Sequence, residues 1–225
     1  MITKLEMRNF KRFGDATVEL GQPVVLIGPN NTGKTTALQA LALWDAGLRA
    51  WVAEYGTSGQ VPKKRPGVTI NRKELMALPL PSANLLWKDL HTRETTRANG
   101  KQRTDNVLIE IVVHGLSEGK EWVCGFEFYY ANEESFYCRS LRVGGGEDPD
   151  RMIVPEPAVS HRIAYLPPMS GLSDQEFVKQ PGEIGVLIGQ GQTAQVLRNL
   201  CHNVSSADTA SWKRGETWGK SFCGL

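Results

Sequence analysis

The residues best suited to chemistry stand together as Gly28-Pro29-Asn30-Asn31-Thr32-Gly33-Lys34-Thr35, which matches the pattern G-x-x-x-x-G-K-[ST] at every required position. Gly28 and Gly33 allow the backbone to curl with its N–H groups pointing inward, a nest for phosphate oxygens. A helix beginning at the loop adds the favourable end of its dipole. Lys34 supplies a flexible positive charge for the β- and γ-phosphates, and the Thr35 hydroxyl supplies a ligand for Mg2+. Thr36 adds a second hydroxyl near the α-phosphate. The ligand that answers all of these groups is ATP with Mg2+.

Such a loop works only if a strand delivers it and a helix leaves it. Pro23 to Ile27 is a nearly continuous apolar run, the pattern of a strand buried in mid-sheet. After the loop, Ala37, Leu41, Trp44, Leu48 and Trp51 recur at helical intervals with no proline until Pro62, which predicts a long amphipathic helix. Upstream, Met1 to Phe10 reads as a strand without clean alternation, Phe13-Gly14-Asp15 as a turn, and Thr17 to Leu20 as a second strand. Downstream, Gly56 to Gly67 is a loop and Asn71 to Leu78 a short helix with Asn71 as cap. Val107 to His114, Glu121 to Tyr130 and Ser135 to Val143 predict an antiparallel meander within 106–143. His161 to Leu166 reads as a further buried strand, and Glu183 to Cys201 as a second helical stretch. The expected fold is α/β, a P-loop NTPase with a mixed sheet, an N-terminal antiparallel β-lobe, the meander and flanking helices.

The stretch Ile2-Thr3-Lys4-Leu5-Glu6-Met7-Arg8-Asn9-Phe10-Lys11-Arg12-Phe13 resembles the opening of RecF, SMC and OLD-type ATPases, in which a strand ends in N-F-K-x-F ahead of the phosphate loop. The loop itself is similar to their Walker A, with Asn30-Asn31 at its centre. The resemblance covers Met1 to about Trp44 closely and the meander loosely. It implies the N-terminal lobe of an ABC-type head in the AAA family, with residues 1–204 as the lobe and 205–225 as an irregular tail that stops short of the signature and Walker B segments. In such a head ATP clamps two copies together and controls a DNA-related activity, repair or phage defence, through a DNA or protein effector. The same resemblance lays Lys11 or Arg12 along the nucleotide and packs Phe10 or Phe13 near the base. Those two rings equally suit the core beneath the sheet.

Hydrolysis in heads of this kind needs more than a phosphate loop. No four apolar residues followed by Asp-Glu occur, and Leu85-Leu86-Trp87-Lys88-Asp89 places a basic residue where the strand should end. Ile188-Gly189-Gln190-Gly191-Gln192 is superficially like an L-S-G-G-Q signature but lacks its serine, so it reads as glycines opening a helix. Gln175 fits either a Q-loop or a solvated helix start. No catalytic residue is assigned. Without a carboxylate pair to hold magnesium and activate water, the chain is expected to bind ATP but hydrolyse it very slowly alone. An alternative is an ATP-sensing regulatory subunit, without catalysis of its own, that engages a protein partner.

Composition limits the other classes. An apolar content of 40% with 22% charged residues is that of a chain with a packed core. A net charge of +2 makes no case for nucleic acid by itself, so local clusters such as Lys63-Lys64-Arg65 and Lys101-Gln102-Arg103 must make it, against the plainer reading of charged loops. The four cysteines lie far apart, with neither C-x-x-C pairs nor histidines at metal-ligand spacing, which fits a reducing cytoplasm. His91, His114, His161 and His202 stand singly and read as surface or filler residues. No signal peptide or membrane span is expected, because Asp45 and Arg49 interrupt the most apolar helical stretch.

Overall fold

The computed structural model describes residues 1–57, 67–75, 78, 80–98, 101–144, 150–163, 165 and 176–207. The chain divides into two compact units, Met1–Tyr165 and Leu166–Leu225.

In the first unit the chain opens with strand β1 (Ile2–Phe10), β2 (Phe13–Glu19) and helix α1 (Lys34–Tyr55). Strands β3 (Val68–Asn71), β4 (Arg93–Ala98), β5 (Lys101–Asn106), β6 (Ile109–Ser117), β7 (Lys120–Tyr130) and β8 (Ser135–Ser140) follow. Two short strands, β9 (Arg142–Val143) and β10 (Asp150–Arg151), and the short helix α2 (Glu156–Ser160) complete it. A six-stranded sheet runs β2-β1-β6-β7-β8-β3, with each neighbouring pair antiparallel.

Alternation builds the sheet's inner face. Leu5 and Met7 of β1, Ile111 and Val113 of β6, and Phe126 and Phe128 of β7 are all buried. At Asn9 the backbone turns to φ 55, which shifts the alternation by one residue and turns Phe10 into the core. This explains the imperfect period of the N-terminal strand; asparagine tolerates that conformation better than most residues. Its side chain is held there, the amide donating to the Leu108 carbonyl at 2.9 Å.

Helix α1 covers the inner face with Ala37, Ala40, Trp44, Gly47, Leu48 and Trp51. The contact is close at Gly47, where a β-carbon would meet Cys138 Sγ at 2.9 Å and the Phe128 ring at 3.0 Å. The Trp44 indole donates to the Cys124 carbonyl at 2.8 Å, so its polar edge is satisfied inside the core.

The sheet's outer face is charged. One row runs Asp15, Arg8, Glu110, Glu127, Arg139 across β2, β1, β6, β7 and β8 in register. Strands β4 and β5 stand apart as a two-stranded ribbon of their own.

In the first unit four sequence expectations need correction. Pro23 to Ile27 forms no strand and is not buried: Val25 is 76% and Ile27 89% exposed. The last bond tying this stretch of chain to the sheet is Leu20 N–H to the Thr3 carbonyl at 2.7 Å, and no strand among the described residues pairs with residues 23–27. An apolar run becomes a mid-sheet strand only when flanking strands cover both of its edges. The turn falls at Lys11-Arg12, and Phe13-Gly14-Asp15 belongs to β2. Asn71 does act as a cap, accepting from Lys73 N–H at 3.0 Å, but it starts a single turn at Arg72–Glu74 rather than a helix to Leu78. Residues 161–163 are not a strand; the His161 ring instead lies between the Met1 terminal ammonium at 3.0 Å and the Pro157 carbonyl at 2.7 Å.

The meander expectation agrees with β6, β7 and β8. The ribbon β4–β5 was not foreseen, because it has no apolar alternation to read.

The second unit contains α3 (Pro181–Gly189) and α4 (Leu197–Ala207), around Ile184, Ile188 and Val196. The expected continuous stretch from Glu183 to Cys201 is broken at Gly191, whose φ is 76. Ile188 to Gln192 therefore closes α3, and Gln192 also precedes the single turn Thr193–Val196 that runs into α4. Asn199 pins the segment before α3, accepting from Lys179 N–H at 2.7 Å and donating to the Phe177 carbonyl at 2.9 Å. Gln175 and residues 208–225 of the predicted tail lie outside the described residues. Among the described residues no helix is long and apolar enough to cross a membrane.

Candidate functional site

The glycine loop leads directly into α1. Gly33 is the residue before the helix, at φ 98, and its carbonyl accepts the first helical bond from Ala37 N–H at 2.9 Å. No side chain caps this end and no acidic residue lies in the first turn. The N–H groups of the first turn of any α-helix lack intrahelical partners. Here they open onto the loop, at the positive end of a 22-residue helix. That is the donor set an anionic ligand can satisfy.

The loop curls around its own lysine. Lys34 Nζ donates to the Gly28 carbonyl and to the Pro29 carbonyl, both at 2.7 Å, and lies 3.4 Å from Thr32 Oγ1. Thr32 Oγ1 in turn donates to the Pro29 carbonyl at 3.0 Å. Asn31 takes φ 64 at the outer bend. The ammonium therefore sits against two backbone carbonyls, which phosphate oxygens would have to displace. Pro29, Asn30, Asn31, Thr32 and Thr35 are exposed, while Gly33, Lys34 and Thr36 are partly covered. Thr35 is exposed in the first turn of α1.

The residues proposed to flank the nucleotide separate into two kinds. Arg12 is exposed and reaches the loop: its Nη1 donates to Asn31 Oδ1 at 3.2 Å. Lys11 turns the other way, its Nζ donating to Gln39 Oε1 of α1 at 2.7 Å, and burial draws its pKa below the ordinary lysine value. Phe10 is fully buried, pairs through a backbone bridge with Trp87 and belongs to the core. Phe13 is partly exposed and presses on the loop at Gly33.

Two partners escaped the sequence reading: Gln39, which holds Lys11, and Phe13 as the support under the loop. A helix period places residue 39 one turn after Thr35 and Thr36, but nothing in the sequence says which strand residue meets it. Among the described residues no group of three His, Cys, Asp or Glu side chains is arranged to hold a metal.

A family model, AAA ATPase domain, matches residues 1–45, which are β1, β2, the loop and the first half of α1. The match supports an AAA-type, nucleotide-binding ATPase with a P-loop. None of the curated proteins matches the chain.

Proposed function

We propose that this protein binds Mg-ATP through Gly28 to Thr36. Lys34 moves from the Gly28 and Pro29 carbonyls to the β- and γ-phosphates, the first-turn N–H groups of α1 receive phosphate oxygens, and Thr35 supplies one magnesium ligand. What supports this reading is the uncapped start of α1 with Lys34 Nζ folded back to 2.7 Å from two loop carbonyls. Arg12, tethered to Asn31, steadies the loop from the strand side and lies along the nucleotide.

The finer reading is the N-terminal lobe of a RecF/SMC/OLD-type head, in which ATP draws two heads together to control a DNA-related or defence activity. Ordinary turnover then requires a carboxylate-bearing strand, and the exposed apolar edge at Val24 to Ile27 is where such a strand would pair.

Titration calorimetry with Mg-ATP tests the claim. Saturable heat is expected for the wild-type chain and none for Lys34→Ala. Ligand at about a hundred times Kd should also stabilise the wild type by about 2.7 kcal/mol. A folded wild-type chain that shows neither heat nor stabilisation overturns the proposal.

A further inference from the structure

The β4–β5 ribbon sorts its side chains by chemistry. Its register places Arg93 opposite Asn106, Thr95 opposite Thr104 and Arg97 opposite Gln102. Alternation puts these six on one face, and the Thr95 and Thr104 hydroxyls, 3.1 Å apart, mark that face. All six are exposed. Both described carboxylates, Glu94 and Asp105, lie on the opposite face, where Asp105 accepts from Arg103 Nε at 2.9 Å. Neither Arg93 nor Arg97 has an ion-pair partner among the described residues.

The described side chains of the ribbon are all exposed and the ribbon pairs with no other strand of the described residues, and an isolated two-stranded hairpin is marginal on its own. Its face of two arginines, two amides and two threonines carries positive charge and no carboxylate, which complements a polyanion. Arginine reads guanine edges and phosphates, amides read adenine, and threonine meets the thymine methyl. Rows on one face of a ribbon repeat every two residues, about 7 Å, close to twice the roughly 3.4 Å rise of a DNA base step. A two-stranded ribbon fits the roughly 12 Å major groove of B-DNA, whereas the deep, narrow major groove of duplex RNA excludes it.

The geometry points to this face as a binding surface for double-stranded DNA, entered through the major groove, with Arg93 and Arg97 on phosphates or guanines and Gln102 and Asn106 on base edges. It deepens the DNA-linked reading proposed above, but it does not depend on ATP. An acidic protein would be served by the arginines alone and would leave the amides and threonines without a task.

Fluorescence anisotropy with a labelled duplex of about 20 base pairs, in ATP-free buffer between about 50 and 300 mM salt, tests it. Wild-type protein is expected to bind, with affinity falling as salt rises. Arg93→Ala with Arg97→Ala should weaken binding about tenfold or more and flatten the log–log salt slope by about 2, near 0.9 for each phosphate no longer neutralised. Arg93→Lys with Arg97→Lys should keep the slope. Gln102→Ala with Asn106→Ala should lower affinity with the slope intact, and duplex RNA of the same sequence should bind more weakly.

No binding at about 50 mM salt, an unchanged slope in the double alanine variant, or equal displacement of DNA by polyglutamate would each overturn the proposal, the last in favour of an acidic protein partner. Mg-ATP heat for the double alanine variant should equal that of wild type. A wild-type chain without ATP heat would sink the nucleotide reading and leave the ribbon result standing on its own.

Discussion

A β-carbon placed on Gly33 would stand 2.3 Å from Cζ of Phe13. The ring at the start of β2 is thus packed against the residue that turns the phosphate loop into α1, and at φ 98 that residue also needs a conformation side chains rarely adopt. Strand and loop are joined through this contact and through the Arg12 to Asn31 bond.

Gly33→Ala should therefore do two kinds of damage: backbone strain of about 1–2 kcal/mol, and displacement of the Phe13 ring. Thermal unfolding should fall by several degrees, since about 1 kcal/mol moves Tm by roughly 2–4 °C in a chain of this size, and Mg-ATP heat should vanish. Adding Phe13→Ala relieves the collision but not the strain. The double variant should recover part of the stability and none of the binding. Full recovery of both would show that the loop tolerates a side chain and that the packing described is unimportant.

How much of this was legible beforehand differs from element to element. The loop and α1 could be read because glycine, lysine and threonine at fixed offsets, followed by a 3.6-residue period, are local signals. The β6–β8 meander could be read for the same reason, through alternation at Ile109, Ile111 and Val113. Residues 23–27 misled because an apolar run reports what a segment needs, not whether a neighbouring strand is there to meet the need. The β4–β5 ribbon stayed hidden for the opposite reason: it has almost no apolar residues, so its pairing left no pattern. Around the site, Arg12 was legible as a charge beside the loop, while the inward turn of Lys11 to Gln39 depends on φ 50 at Lys11, which no residue type announces.

The exposed apolar run gives a second prediction. Ile27→Thr and Val25→Thr replace side chains that are 89% and 76% exposed. In the 225-residue chain each should change the unfolding free energy by less than about 0.5 kcal/mol, as surface substitutions do. An isoleucine truncated in a packed mid-sheet strand would cost about 2–5 kcal/mol. Urea unfolding followed by tryptophan fluorescence separates the two. A loss of about 2 kcal/mol or more, by that core scale, would mean the run is covered. Self-association at high concentration should also diminish in both variants, because an exposed apolar extended run is a ready template for pairing and threonine makes it less apolar.

Glu127 supports the last prediction. Its side chain is 1% exposed on the outer face of β7, and three arginines converge on it: Arg151 at 2.6 Å, Arg139 at 3.1 Å and Arg142 at 3.6 Å. Arg151 also donates to the Ser140 carbonyl at 2.7 Å, and Arg139 lies over the Tyr129 ring at 4.4 Å. The Arg139 Nε approach is charge attraction without hydrogen-bond geometry, so Arg151 makes the stronger contact. On the other side Glu110 lies directly opposite Glu127 in register, and Arg8 offsets that like-charge pair by holding Glu110 at 3.2 Å. Removing the carboxylate charge would strand the guanidinium of Arg151, whose side chain is only 8% exposed, with no other counter-ion at bonding distance among the described residues. Breaking a buried pair in this way costs about 3–5 kcal/mol, so Glu127→Gln should lower Tm by roughly 6–20 °C. Arg142→Ala, which deletes a 46% exposed partner at 3.6 Å, should cost below about 1 kcal/mol. Calorimetric unfolding of the two variants side by side checks the contrast. If Glu127→Gln proves as mild as Arg142→Ala, water reaches the guanidinium groups, and the carboxylate is not what holds β9 and β10 against the outer face.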